Sequence, residues 1–331
     1  MEKRQELFSY QKNEAARLIF DFETNESVDL SLIEHLMKNA TDGLKQMGVE
    51  YVILKSSNNE VIKIAADIVK NRGIKLICQL PYFKGEELEN VILKKSKKDL
   101  LILSIEEPID YERFRAIFKN FRRNFASIEN KENIVTSFIL PVSTQNYEDI
   151  MIIAKELYNQ TGVSVILEPM IWIHNKDPRA ISWQQLDALY QQVILFHHEI
   201  GRHYAILMGQ GILPTRLLTE HPCNGYVCKG SSCHSNKSDI PRKLAVNLMG
   251  ELFPEHIAVD KKFLIGDLKK GKITDIIDKY YESDNHRRFR SLVKYIFINY
   301  VQVCSYRVVP WKDLFAELSK EIMEGGENYD R

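Results

Sequence analysis

The sequence predicts an α/β protein, a partial (β/α)6 TIM-type barrel followed by a small Cys-containing C-terminal domain. Two observations predict the barrel. Short apolar runs alternate with amphipathic segments six times between residues 15 and 200, and the connecting loops are short. The third observation marks off the C-terminal part: three of the five cysteines fall between 223 and 233, in a Gly/Ser-rich stretch. The alternation alone leaves an open six-stranded sheet as the other arrangement.

The first strand is read at Ala16–Phe22 (ARLIFDF), followed by a polar loop. A helix over Ser31–Met47 carries Leu32, Ile33, Leu36, Met37, Ala40, Leu44 and Met47 at helical spacing, and Ser31 with Glu34 fits a capping box. Tyr51–Leu54 is the second strand and Glu60–Lys70 the second helix, stopped by Gly73. Ile74–Leu80 reads as a strand ended by Pro81, and Glu86–Lys95 as its helix. The rhythm repeats with Leu100–Ile105 and Tyr111–Phe125, then with Asn133–Leu140 and Tyr147–Tyr158 closed by Gly162. Val163–Leu167 precedes a long helix at Trp183–Ile200. Phe289–Met323 mixes aromatic and apolar residues, which predicts a strand or helix followed by a final amphipathic helix. The expected division is an N-terminal extension over 1–14, a barrel over 15–210 and the cysteine-containing domain over 211–331.

Composition excludes several classes. The 45 basic and 45 acidic residues cancel, so no global field favours nucleic acid or an anionic membrane. Basic runs at Lys94–Lys98, Arg122–Arg123 and His286–Arg290 are scattered and read as solvated helix faces. No stretch reaches the roughly 18 apolar residues of a spanning helix, and the N-terminus has no apolar signal core, so a cytoplasmic protein is expected. Neither GxGxxG after the first strand nor a P-loop is present, which argues against dinucleotide and NTP sites.

Cys223, Cys228 and Cys233 form a C-x4-C-x4-C-H run with His234, flanked by His221. Gly225 and Gly230 let such a loop fold back, and thiolates select zinc or an iron–sulfur cluster over hard cations. The fourth ligand is open by type among His221, His234, His256, Asp260 and Cys304, and unliganded thiols are the plainer reading. At the ends of the barrel strands stand Asp21, Glu23, Glu106, Glu107 and Glu168, which a barrel would gather at one rim. Glu106 and Glu168 are the candidate catalytic residues, able to grip a cationic peptide or act as general acid and base. The alternatives are solvated loop charges, with Lys55 as a structural partner. His198 with Glu199 and His203 offers a metal set, against plain cations at a helix C-terminus.

The order of parts resembles the radical S-adenosylmethionine (SAM) superfamily with a C-terminal SPASM segment. The stretches LLILSIEEPIDYERFRAIFKNF and NIVTSFILPVSTQNYEDIMIIAKELYNQTGVSVILEPM are similar to the fourth to sixth barrel units of that family. LAVNLMGELFPEHIAVDKKFLIGDLKKGKITDII is similar to the SPASM hairpin. The likeness covers roughly residues 15–280. It implies a role in ribosomal peptide maturation, with a precursor peptide or a partner modifying enzyme as partner and a 4Fe-4S auxiliary cluster or zinc at the C-terminal cysteines. The chain departs from the family twice near its front. The loop ETNESVDLS has no cysteine where the family carries CxxxCxxC, and KSSNNE stands where a Gly-Gly-Glu-Pro type motif binds the SAM amino group. A third departure is Pro254-Glu255-His256, where a cysteine usually follows the hairpin proline. The departures imply that SAM is an unlikely cofactor and that radical cleavage is absent. A cluster-free barrel enzyme using the rim carboxylates on a small molecule, or a metal-free scaffold, are the other readings.

Overall fold

The structure is a computed structural model. It describes residues 17–22, 27–44, 49, 51–81, 100–105, 107–127, 135–171, 177–209, 211–215, 243–254, 261–280, 282–311, 313–315 and 317–318. In chain order the elements are β1 (Arg17–Asp21), α1 (Leu30–Thr41), β2 (Tyr51–Lys55), α2 (Asn59–Asn71), β3 (Lys75–Pro81), β4 (Leu100–Ser104), α3 (Tyr111–Ser127) and β5 (Val135–Val142). There follow α4 (Ile150–Thr161), β6 (Ser164–Pro169), α5 (Trp183–Ile200), β7 (Ile206–Met208), β8 (Ile212–Pro214), β9 (Lys243–Asn247), β10 (Glu251–Pro254) and β11 (Gly266–Asp267). The last are α6 (Ile273–Tyr280), α7 (Asp284–Ile296), a π-helical turn at Phe297–Val301, and β12 (Val308–Pro310). The protein is mixed α/β with mostly parallel strands, and it divides into two compact units, residues 1–76 with 213–331 and residues 77–212.

In the first unit the strand order is β11-β10-β9-β1-β2. β1 pairs in parallel with both β2 and β9, so Asp21 lies beside Lys55 on one side and Asn247 on the other. β10 is antiparallel to both of its neighbours, β9 and β11, and Gly250 lies in the turn between β9 and β10. Leu18, Phe20 and Phe22 are buried, as are Ile33, Leu36, Met37 and Ala40 along α1. The helical spacing of those α1 residues is what the sequence shows. Its start differs from expectation. Asp29, not Ser31 with Glu34, is the N-cap, accepting from the amides of Ser31 and Leu32 at 2.9 and 3.2 Å. Glu34 turns instead to Lys38 at 2.6 Å. The helix also stops early, at Thr41, with Asp42 bonded to Arg72 at 2.9 Å and to Lys272. Gly73, at φ 62°, ends α2 as expected.

In the second unit β3, β4, β5, β6 and β7 run parallel in sequence order. Parallel neighbours require crossovers, and α3, α4 and α5 supply three of them. The helix expected at Glu86–Lys95 lies outside the described residues. α5 has the bounds read from the sequence, because Ser182 and Gln185 form a reciprocal capping box and Gly201 at φ 65° closes it. α4 begins at Ile150 rather than Tyr147. Asn146 takes the preceding residues into a turn, donating to the Pro141 carbonyl at 2.9 Å and accepting from the Ser143 amide at 2.9 Å.

Candidate functional site

The carboxyl ends of parallel strands are where such folds place their chemistry. In the second unit that edge holds Glu168. β6 alternates half-buried Ser164, Ile166 and Glu168 with buried Val165, Leu167 and Pro169, so Glu168 stands on the less covered face. Its partner in register on β5 is Pro141. On the other side Gly209 donates its amide to Leu167 at 2.6 Å. A Cβ on Gly209 would meet the Leu167 carbonyl oxygen at 3.0 Å and Glu168 Cα and Cγ at 3.3 and 3.4 Å. Glycine is therefore what lets the chain leaving β7 lie against Glu168.

The loops above this edge are tied together. The Thr144 amide donates to Arg179 at 2.9 Å and its hydroxyl to the Pro178 carbonyl at 2.7 Å. Tyr147 donates its hydroxyl to the Gln185 carbonyl at 3.0 Å. Asp177 holds Arg179 through two contacts of 3.2 and 2.9 Å, and the Arg179 guanidinium keeps its carboxyl below the ordinary range. Glu107 is exposed and 3.6 Å from Arg113, as a solvated loop charge would be. Glu106 and Glu23 lie outside the described residues.

In the first unit the same strand ends carry Asp21, Lys55 and Asn247. Asp21 and Lys55 are 3.7 Å apart, the structural pairing that the sequence left open for Lys55. The loop after β1 is where the family that the sequence resembles carries CxxxCxxC. Residues 23–29 hold no thiol, and Asp29 is occupied as a helix cap, its carboxyl lowered first by the Ser31 hydroxyl at 2.7 Å. The end of β2 is likewise committed to its own backbone. Asn58 accepts from the amides of Glu60 and Val61, and the Asn58 amide donates to the buried Ser56 hydroxyl at 3.2 Å. This donor set does not fit a thiolate-held cluster.

The metal candidates Cys223, Cys228, Cys233 and His234 all lie outside the described residues. Among the described residues, no group of three or more His, Cys, Asp or Glu is placed to hold a metal ion. Cys78 is buried in β3. In the histidine-rich end of α5, His197 points inward, with Nε2 2.7 Å from the Ile206 carbonyl oxygen, and Glu199 is 4.0 Å from Lys155. Burial lowers the His197 pKa, with His203 and His198 adding to the shift.

Two positions escaped the sequence reading. Gly209 had a signal in Gly-Gln-Gly directly after a short apolar run. Asn247 had one in its place before Leu-Met-Gly. Its side chain accepts from the Met249 and Glu251 amides, both at 3.0 Å, and donates to Glu251 at 2.9 Å. That donation, with Lys261 at 3.2 Å, holds the Glu251 carboxyl below its ordinary value.

No family model matches the chain, and no curated protein matches it in sequence. Solved structures do match in fold. The crystal structure of Streptococcus suis SuiB superposes with a TM-score of 0.54 at 11% identity, over 88% of this chain and 71% of that one. SuiB bound to S-adenosylmethionine gives 0.54 at 10% identity, over 87% of this chain and 72% of that one. SuiB bound to precursor peptide SuiA gives 0.55 at 12% identity, over 87% and 70%. The chain thus has a SuiB-like fold, and a fold that in SuiB accommodates SAM lends no support to the expectation that SAM is an unlikely cofactor.

Proposed function

We propose that the chain is a peptide-binding protein of a ribosomal peptide modification system, related to radical SAM/SPASM proteins but without radical cleavage of SAM. The observation that carries this reading is the SuiB-like fold, a fold solved in SuiB with its precursor peptide bound. The thiol-free loop after β1 supports the loss of cleavage, and its Asp29 carboxylate is engaged as the α1 cap. In this reading Glu168 and Glu106 meet the peptide at the strand ends, as a cation grip or as general acid and base. Cys223, Cys228 and Cys233, with His234, hold an iron–sulfur cluster or zinc, and a partner enzyme supplies the covalent chemistry.

The test is calorimetric titration with short peptides encoded beside the gene, paired with a SAM assay. Saturable binding of one such peptide is the expected result, weakened by Glu168→Gln. Absence of binding by all of them would sink the peptide reading. Incubation with SAM and a strong reductant under anaerobic conditions is expected to yield no 5′-deoxyadenosine, and its release would overturn the non-radical part alone.

A further inference from the structure

The β9–β10 hairpin and the β11 strand beside it half-bury two acids, and the neighbouring lysines are exposed. Glu251 and Asp267 have side chains only 19% and 18% exposed. Glu251 is engaged by Asn247 and Lys261, and Asp267 accepts the Lys269 amide at 2.9 Å. The cations they face are in water, with the Lys261 and Lys270 side chains 79% and 82% exposed and Lys269 exposed as well. Ion pairs of 3.2 and 3.8 Å join these carboxylates to lysines whose side chains stay mostly in water, and Lys269 adds a third exposed cation beside the two pairs. At the tip of the turn Met249 is 61% exposed. Its backbone is fixed, because Asn247 accepts the Met249 and Glu251 amides and the Leu268 amide donates to Gly250 at 2.8 Å. A Cβ on Gly250 would lie 3.2 Å from Lys269 Cγ, so the Lys269 stem passes over the turn at Gly250, the residue after Met249.

We propose that this turn is a docking surface for an acidic peptide segment bearing an apolar side chain, its carboxylates meeting Lys261, Lys269 and Lys270 and its apolar group covering Met249. The proposal rests on the peptide-binding reading above and assigns part of that recognition to the first unit. Charge complementarity favours an acidic partner, and methionine gives an adaptable apolar contact. Among the described residues from β9 to β11 there is no arginine, and the aromatic side chains Phe253 and Phe263 are buried, so no base could stack on them, which favours a peptide over nucleic acid.

The experiment is selection of randomised displayed peptides on the full chain, followed by affinity measurement of the recovered peptides. Enrichment of Asp and Glu around Leu, Ile, Met or Phe is expected. Binding should weaken about tenfold or more in a Lys261/Lys269/Lys270→Gln variant and in Met249→Ser, and with added salt. A Lys261/Lys269/Lys270→Glu variant should select basic residues instead, which ties the effect to charge and not to folding. Peptides recovered without acidic enrichment, or bound equally by the lysine variants, overturn this proposal and leave the general peptide reading standing. Recovery of no peptide overturns both. Equal lysine-dependent binding of a single-stranded oligonucleotide or of phosphatidylserine vesicles would replace the peptide with those ligands.

Discussion

His197 shows how one side chain couples a helix end to an edge strand. The carbonyl of Ala205 bonds inward to Val165, so that of Ile206 points away from β6, and His197 Nε2 donates to it at 2.7 Å. Covering an outward carbonyl on an edge strand removes a site for unwanted pairing. The ring is half-buried, and burial lowers its pKa beneath the ordinary 6.5. The folded state therefore binds fewer protons in acid than the unfolded state. Its stability should be level above about pH 6.5 and fall as pH drops below that value. His197→Gln keeps an N–H donor and removes the titration. The expected outcome is a shallower acid limb in Tm measured from about pH 8 to pH 5, and an unchanged slope would assign that limb to other groups. The sequence FHHEIGRH shows three histidines at a helix end and a dipole reason for them. Which ring turns inward depends on where β7 passes, and no local pattern carries that.

At the scale of the element, the β9–β10 hairpin has an exacting turn. Gly250 has φ 77°, and a Cβ there would sit 2.6 Å from Leu36 Cδ2 in the core face of α1. Gly250→Ala should cost about 1–3 kcal/mol, from left-handed strain plus displacement of Leu36. Urea unfolding would read it as a lower midpoint at unchanged slope. The hairpin at LAVNLMGELFP was expected only through the family resemblance, and the structure forms it as β9 and β10. Helix ends were legible where one signal stood alone. Ser182, Gln185 and Gly201 bracket α5, and its two bounds follow from them. Around α1 two cap candidates compete within three residues. Asp29 wins because its carboxylate accepts two amides and the Ser31 hydroxyl at once, leaving Ser31 as its donor. Asn146 delays α4 in the same way, since its side chain replaces backbone partners in the turn before the helix.

At the scale of the whole molecule, the parallel pairing of β1 with β9 joins segments far apart in the chain, and each strand alone announces only that it is a strand. The strand–helix alternation was legible in the described units because it is local; the partners along the strand edges were not, because register is a long-range property. The same limit bears on the cysteines. Their clustering is written in the sequence, while what gathers around them is not. Cys78 is buried in β3, and the loop after β1 has no thiol, so any thiolate-held metal in this chain should depend on Cys223, Cys228 and Cys233. Iron, acid-labile sulfide and zinc measured on anaerobically purified protein should be present in the wild type and lost in a Cys223/Cys228/Cys233→Ser variant. Iron with sulfide would identify an auxiliary cluster, and zinc alone a structural site. Metal retained by the variant would move the centre elsewhere. Metal absent from both would end the metal reading and leave recognition to the strand-end carboxylates and the hairpin.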